Sequence, residues 1–301
     1  MCIRDRINPN WILNGDFTVS TDPNNGVSIS SQAYFNDVWF ANPGSGACTP
    51  TITALTVGST PILPNPPRCY LKYQQTTNSS SSPGIGQRIE DARSLAGKTV
   101  TLSFWASSAA NLTTRNISLT QYFGSGGSPS ASVQTVLSSG VSVTSTWTFY
   151  TLTASLPAVT GKTLGTDNIS YLQLDIFLPI NSTYTFNITN VKLEVGSFAT
   201  TFDNSWEEQA RVAKACERYY QVIAGVARFT SPLATPTMWT PLAYRSIMRA
   251  NPTPTVLGTV SSANVGSISI GAYTYGGLLQ LTAAGIGDTY VNTQIGLSAR
   301  L

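Results

Sequence analysis

The sequence of 301 residues contains no histidine. Histidine is the side chain that most often acts as a general base near neutral pH, and it is the commonest metal ligand. Its absence excludes a Ser-His-Asp hydrolase, a histidine-ligated zinc peptidase and a zinc deaminase in their ordinary forms. We therefore expect no catalytic residues and no metal site, and the composition indicates a protein that is not an enzyme.

Charged residues are also scarce, at 10% of the chain compared with roughly 25% in an ordinary globular protein. The net charge is only +3 and no basic run occurs, so nucleic-acid binding is not predicted. No apolar run approaches the roughly 20 residues that cross a bilayer, and the N-terminus lacks the apolar core of a signal peptide. Uncharged Ser, Thr, Asn, Gly and Pro fill the surface instead, as is common in extracellular and virion β proteins.

The four cysteines form no CxxC pair and show no metal-ligand spacing. Cys2 lies in the segment Met1–Arg6, MCIRDR, which is the in-frame translation of a sequencing adaptor. We expect these six residues to be an artefact, which leaves the native start of the chain open. Cys48 and Cys69 flank a proline-rich loop, where a disulfide is one alternative and two separate thiols are the favoured one. Cys216 is expected to be a small core residue.

Most of the chain predicts β structure. Between about Asn8 and Phe202, some ten short stretches alternate apolar and polar residues, as in Val100, Leu102 and Phe104, and Gly, Pro, Asn and Ser clusters separate them. This pattern favours a two-sheet sandwich or jelly roll. About six further strands are predicted after Gly225. We expect a jelly-roll domain at 7–202, a linking helix at 203–223 and a small β domain at 224–301.

One helix is predicted, over Ser205–Tyr220. Ser205 and Glu208 have the spacing of a capping box. Acidic residues at the start and Arg218 near the end suit the helix dipole. Apolar residues at helical spacing predict one buried stripe, formed by Trp206, Ala210, Ala213, Cys216 and Tyr220.

Three blocks of sequence resemble bacteriophage tail-fibre and related virion-appendage proteins. They are QRIEDARSLAGKTVTLSFWA at Gln87–Ala106, SLPAVTGKTLGTDNISYLQLDIFLP at Ser155–Pro179, and the segment Glu194–Tyr220, which ends in Cys-x-Arg-Tyr-Tyr. In that family a jelly roll runs into an acidic-start helix. A shorter match, IMRANPTPTV from Ile247, is similar to a strand entry in small C-terminal domains of the same group. The resemblance implies a fibre or receptor-binding tip that is a homotrimer.

The jelly-roll segment also resembles carbohydrate-binding modules attached to glycosidases, which tend to open with Asn-Gly-x-Phe, here Asn14–Phe17. A structural calcium ion is usual in those modules. Asp16 is available for it, but Asn190 stands where the modules often have an acid. We therefore expect no cofactor, while the calcium site stays an alternative.

Sugar recognition would use aromatic rings, because pyranoses present flat apolar C–H faces that stack on Trp and Tyr. Candidate rings lie near Pro-Gly or Gly-rich loops or in stretches poor in bulky neighbours. For each of them the alternative is a core position, and Trp105 and Trp147, inside strand patterns, are assigned to the core. The carbohydrate-binding candidates are Tyr34, Trp39, Tyr122, Phe123, Trp239, Tyr273 and Tyr275.

Together these features predict a virion tail-fibre or receptor-binding subunit that adsorbs to host cell-surface polysaccharide or glycan without cleaving it. Its expected partners are that glycan, other virion tail proteins and two further copies of the chain, with no nucleic acid and no membrane insertion. We expect it in the virion, and extracellular after release. A purely structural fibre or decoration protein and a secreted bacterial carbohydrate-binding module are alternatives. A glycan depolymerase is another, with a carboxylate pair drawn from Asp37, Glu90, Asp175 and Glu194.

Overall fold

The computed structural model describes residues 9–56, 66–233 and 235–301. The expected adaptor artefact at Met1–Arg6 lies outside these residues. The described chain is mostly β with one α-helix, as the sequence predicts. It forms two compact units, the described residues up to Val212 together with Leu301, and Ala213–Arg300. The described residues include no helix with the length and apolarity that crossing a membrane requires.

The first unit is a β-sandwich of two antiparallel sheets. Numbered along the chain, the strands of the six-stranded sheet lie in the order β1-β2-β5-β12-β8-β9. Those of the five-stranded sheet lie in the order β11-β6-β13-β4-β3. Two short strands, β7 (Leu112–Thr113) and β10 (Ser142–Val143), form a separate pair. The strands of the larger sheet are β1 Ala33–Tyr34, β2 Trp39–Asn42, β5 Gly84–Glu90, β8 Asn116–Tyr122, β9 Val133–Ser138 and β12 Tyr171–Phe177. Those of the smaller sheet are β3 Cys48–Ala54, β4 Cys69–Gln75, β6 Thr99–Ser108, β11 Thr148–Ser155 and β13 Tyr184–Val195.

Alternation along the strands builds the core of this unit. In β12, Leu172, Leu174 and Ile176 are fully buried, whereas the residues between them face away from the core. In β6 of the other sheet, Leu102 and Phe104 are buried in the same way. Each such side chain contributes roughly 1.5–3 kcal/mol when it leaves water. One face of each sheet is therefore buried in the core of the sandwich.

The helix α1 spans Trp206–Cys216. The backbone N–H of Glu208 donates to the Ser205 hydroxyl at 3.3 Å, so Ser205 is the N-cap, while the Glu208 carboxylate pairs with Arg211. The predicted stripe is partly wrong, because Val212 and Cys216 are buried whereas Trp206 is 73% exposed. Ala210 is exposed as well, and Tyr220 already belongs to the next strand.

The second unit contains two three-stranded antiparallel sheets, β14-β19-β16 and β15-β18-β17. Their inward side chains form a separate apolar core, including Leu279, Leu281, Val291, Ile295 and Leu297. The strands are β14 Tyr220–Ser231, β15 Thr237–Ala243, β16 Thr253–Ala263, β17 Val265–Tyr273, β18 Gly276–Ala283 and β19 Gly287–Ser298.

Cys48 and Cys69 are separate free thiols. In the β3–β4 pairing, Cys48 lies opposite Gln75 and Cys69 opposite Ala54, at the two ends of the ladder. Six residues of strand place the cysteines about 20 Å apart along the strand direction. A disulfide needs Cα atoms within about 7 Å, so the alternative of a disulfide is wrong. Burial raises the pKa of the Cys48 thiol to about 11.

Candidate functional site

The outer face of the six-stranded sheet collects aromatic and polar side chains from five strands. On β12, Tyr171, Gln173 and Asp175 point away from the core, since their neighbours point into it. The register sets Arg88 of β5 beside Gln173 and Tyr122 of β8 beside Tyr171. We call this surface the aromatic face and define it by Tyr34, Phe40, Arg88, Tyr122, Tyr171, Gln173 and Asp175.

The rings of the aromatic face form a continuous row. Tyr122 and Tyr171 are stacked with centroids 4.6 Å apart, and the Arg88 guanidinium lies 4.7 Å from the Tyr171 ring and 5.5 Å from the Phe40 ring. Tyr34 meets Phe40 edge-on at 6.0 Å. From β1 to β8 the row crosses four interstrand gaps, or about 19 Å. That length suits several linked sugar rings better than one.

Gly86 makes room for the Phe40 ring at the centre of this row. A Cβ atom on Gly86 would lie 2.4 Å from the Phe40 ring and 2.5 Å from the Leu174 carbonyl oxygen. The Phe40 ring therefore packs closely against the backbone at Gly86, and Phe40 is almost fully buried. It supports Tyr34 and Arg88, which remain half-exposed with Tyr122 and Tyr171.

A hydrogen-bonded network of three side chains lies between the two aromatic ends. Arg88 Nε donates to Gln173 Oε1 at 2.8 Å, and Gln173 Nε2 donates to both carboxylate oxygens of Asp175 at 2.9 and 3.0 Å. Asp175 is only 7% exposed, and this burial raises its pKa to about 6, although Gln173 and Arg88 pull the pKa down. The network fixes the polar groups in place before any ligand arrives.

Two donors of the aromatic face converge on one acceptor. The Tyr34 hydroxyl donates to the carbonyl oxygen of Leu301 at 2.8 Å, and the Arg88 guanidinium donates to the same oxygen. Leu301 is counted with this unit. The geometry shows that two donors of the face can reach one acceptor oxygen from two directions.

Tyr34 and Tyr122, two of the predicted sugar-binding residues, lie on the aromatic face, but Trp39 and Phe123 do not. Trp39 is 0% exposed, packs 5.1 Å from Phe17 and donates from Nε1 to the Asn14 carbonyl oxygen. Phe123 is 1% exposed, with the Lys162 ammonium over its ring. Both face the core, so neither ring can stack on a sugar and both expectations are corrected.

The remaining three predicted residues lie in the second unit and are exposed. Trp239 lies on β15 opposite Gln280 of β18, and Tyr273 lies on β17 opposite Gly276. These two positions are four residues apart along β18, or about 14 Å. Tyr275 lies in the turn that follows β17. Trp239 and Tyr273 therefore do not form a single stacking site, and a role in sugar binding stays a prediction for all three.

Tyr171, Gln173 and Arg88 are not among the residues that the sequence predicts for sugar binding. The signal was present, because the outward positions of Tyr171–Phe177 alternate with three large aliphatic residues. The prediction that Trp105 and Trp147 are core residues is wrong, because both are only half-buried on the outer side of the five-stranded sheet. Trp105 follows Phe104, which is fully buried, so strand parity already places it on the opposite face.

The carboxylates considered for catalysis are not arranged as a glycosidase pair. Asp37 is buried and accepts hydrogen bonds from Thr21, and Glu194 is buried in an ion pair with Lys192. Glu90 and Asp175 share the aromatic face, but the register puts them four residues apart, about 14 Å along the strands. Glycosidase carboxyl groups lie roughly 5–10 Å apart.

The residues considered for calcium are partly engaged by the protein itself. Asp16 is buried, and its carboxylate accepts from the Thr18 hydroxyl at 3.0 Å. Asn190 adopts a left-handed φ of 51° at the register shift in β13. Within the described residues, no group of three or more His, Cys, Asp or Glu side chains could hold a metal ion.

No protein-family model matches the chain, and no curated protein matches it. Among solved structures, a xylan-binding domain from Paenibacillus barcinonensis is 17% identical, with coverage of 52% of this chain and 91% of that domain and a TM-score of 0.35. A putative sugar binding protein from Bacteroides thetaiotaomicron is 16% identical, with coverage of 62% and 100% and a TM-score of 0.38.

The enzymatically active domain of tailspike protein 4 of bacteriophage CBA120 is also similar. It is 17% identical, the match covers 62% of this chain and 21% of that one, and the TM-score is 0.34. At these TM-scores and identities the similarities give no information on the ligand of this chain.

Proposed function

We propose that the chain is a non-catalytic glycan-binding protein and that the aromatic face holds an extended glycan. The row of rings and guanidinium from Tyr34 through Arg88 to Tyr171 and Tyr122 carries this proposal. The flat C–H faces of pyranoses stack on tyrosine rings, while hydroxyl groups bond to amides and guanidinium. The face offers both kinds of contact side by side.

The polar network favours a ligand rich in hydroxyl groups. Gln173 is held by Arg88 on one side and Asp175 on the other, so its orientation costs little entropy on binding. At neutral pH the Asp175 carboxylate accepts hydrogen bonds, and Arg88 and Tyr34 donate them. Hydroxyl groups can both donate and accept hydrogen bonds, so a ligand rich in them can extend this network.

The experiment is a titration of the full chain with a panel of soluble plant and bacterial polysaccharides, followed by calorimetry. Tyr171→Ala should weaken binding at least about tenfold, equivalent to about 1.4 kcal/mol, because it removes the ring against which both Tyr122 and Arg88 pack. Tyr70→Ala is the matched control, because Tyr70 is a half-buried tyrosine on the opposite sheet. This variant should bind the polysaccharide as tightly as the unmodified chain does. No binding by the unmodified chain, or equal losses in both variants, would refute the proposal.

We further propose that this glycan is a host cell-surface polysaccharide and that the chain is a trimeric tail-fibre or receptor-binding subunit of a virion. The blocks at Gln87–Ala106 and Ser155–Pro179, which resemble phage tail-fibre sequences, support this. Weak sites on three copies could together produce firm adsorption. A labelled chain should bind bacterial cells, and free envelope polysaccharide should compete without release of reducing ends. A purely structural fibre protein would not bind the cells.

A further inference from the structure

A cavity of about 230 Å³ lies on the outer face of the five-stranded sheet. Trp105 of β6 and Phe149 of β11 are directly paired across the strands, with ring centroids 5.4 Å apart. Phe149 is 44% exposed, which is unusual for a phenylalanine in a well-formed sheet. We call this cavity the Trp105 pocket; it is lined by Ser103, Trp105, Phe149, Asn190, Ala199, Thr200, Thr201 and Phe202.

A buried ion pair holds one wall of the Trp105 pocket. Lys192 Nζ lies 3.3 Å from Glu194 Oε2, and both side chains are at most 2% exposed. Glu194 accepts from the backbone N–H and the hydroxyl of Thr200, at 2.8 and 2.6 Å. Lys192 donates to the Thr201 carbonyl oxygen at 3.1 Å. These contacts therefore fix residues 199–202 against the sheet, where they form one wall of the Trp105 pocket.

The same ion pair makes the pocket electrically neutral. The two charges compensate each other beneath the wall, and the lining residues are otherwise uncharged. An anionic or cationic ligand would lose its hydration without a free opposite charge to meet it. The lining instead combines an aromatic platform with hydroxyl groups and one amide side chain.

We propose that the Trp105 pocket is a second sugar site that takes one uncharged pyranose residue. A pyranose C–H face stacks on the Trp105 and Phe149 rings, and its hydroxyl groups meet Ser103 and the wall. The cavity is smaller than the roughly 300–1,000 Å³ of pockets for drug-sized ligands, which suits one ring rather than a chain. The pocket lies on the opposite side of the sandwich from the aromatic face and does not depend on it.

The test uses the full chain labelled with 5-fluorotryptophan, titrated with methyl glucoside, methyl galactoside, methyl mannoside and N-acetylglucosamine at millimolar concentrations. We expect at least one of these sugars to shift the fluorine resonance of Trp105, assigned through Trp105→Phe. Ala199→Leu, which fills the pocket from its wall, should raise the Kd at least about tenfold. Trp147→Phe is the matched control, because Trp147 lies on the same face but does not line the pocket.

Two outcomes would overturn this proposal. In one, none of the four sugars moves the Trp105 resonance. In the other, Ala199→Leu binds as well as the unmodified chain does. Because Tyr171→Ala leaves the Trp105 pocket intact, that variant should still show the Trp105 shift. Failure of the aromatic face and failure of the Trp105 pocket can therefore be told apart.

Discussion

At the scale of single residues, Asp175 makes the aromatic face sensitive to pH. Burial raises the pKa of its carboxyl to about 6 from an ordinary value of 3.8. The folded chain thus holds this proton more tightly than the unfolded chain does. Stability contributed by the protonated carboxyl is full below about pH 4 and is lost as the pH rises through about 6.

We therefore expect Asp175→Asn to stabilise the protein near neutral pH, by up to about 3 kcal/mol, and to have little effect below about pH 4. The asparagine keeps an acceptor for Gln173 but carries no buried charge. Urea denaturation followed between about pH 4 and 8 measures the difference. Parallel stability profiles for the two proteins over this range would contradict the expectation.

Asp167→Asn is the control for Asp175→Asn, and we expect it to change the stability in the opposite direction at neutral pH. The pKa of Asp167 is lowered, chiefly by the hydrogen bond from the Ser125 hydroxyl, with help from the backbone N–H of Ile169. Its stabilising effect is present above the ordinary pKa and is lost as the pH falls through the lowered value. The Asp167→Asn variant should thus be less stable than the native chain at neutral pH. The difference in stability between the two proteins should become smaller as the pH falls.

At the scale of elements, the Lys192–Glu194 pair on β13 holds the segment 199–202 against the sheet. We expect Lys192→Met and Glu194→Leu each to destabilise the protein by about 3–5 kcal/mol, because each leaves one buried charge unpaired. The double variant should lose clearly less than the sum of the two. A double-mutant cycle from chemical denaturation gives the interaction free energy of the two side chains. If the losses of stability in the single variants simply added up in the double variant, the two side chains would not be coupled.

The positions of strands could be predicted from the sequence to a large degree. The sequence predicts some ten strands before Phe202 and about six after Gly225, and the described residues form thirteen, β1–β13, and six, β14–β19. Alternation and Gly or Pro boundaries are local properties, so they can be read without knowing the fold. The helix is also predicted, but it ends at Cys216, four residues before the predicted end, because Tyr220 pairs in β14.

The aromatic face could not be assembled from the sequence. Its residues come from β1, β2, β5, β12 and β8, which are neighbours only through the order of the sheet. The outward positions of β5 include Gly84 and Gly86. Because glycine has no side chain, the alternation of apolar and polar residues along β5 does not show which positions face outward. Without the register, Trp39 could not be told apart from a surface ring such as Tyr34.

At the scale of the whole molecule, the second unit carries large apolar side chains on its outer surface. Val226, Trp239 and Tyr273 are each about half exposed, although the unit has fewer than 100 residues. A core of this size is often marginal alone, and a second copy can cover exposed apolar surface. This supports the proposed trimer.

We expect light scattering coupled to size exclusion to give a mass near three times the 32.1 kDa of one chain. Trp239→Arg should shift the mass toward one chain, because it puts a charge into the proposed contact between copies. Trp206→Arg is the matched control, since Trp206 is an exposed tryptophan on the helix, and it should leave the mass unchanged. A mass of one chain for the unmodified protein would contradict the trimer. Each glycan site would then act alone, and adsorption to cells would lack the gain from multivalency.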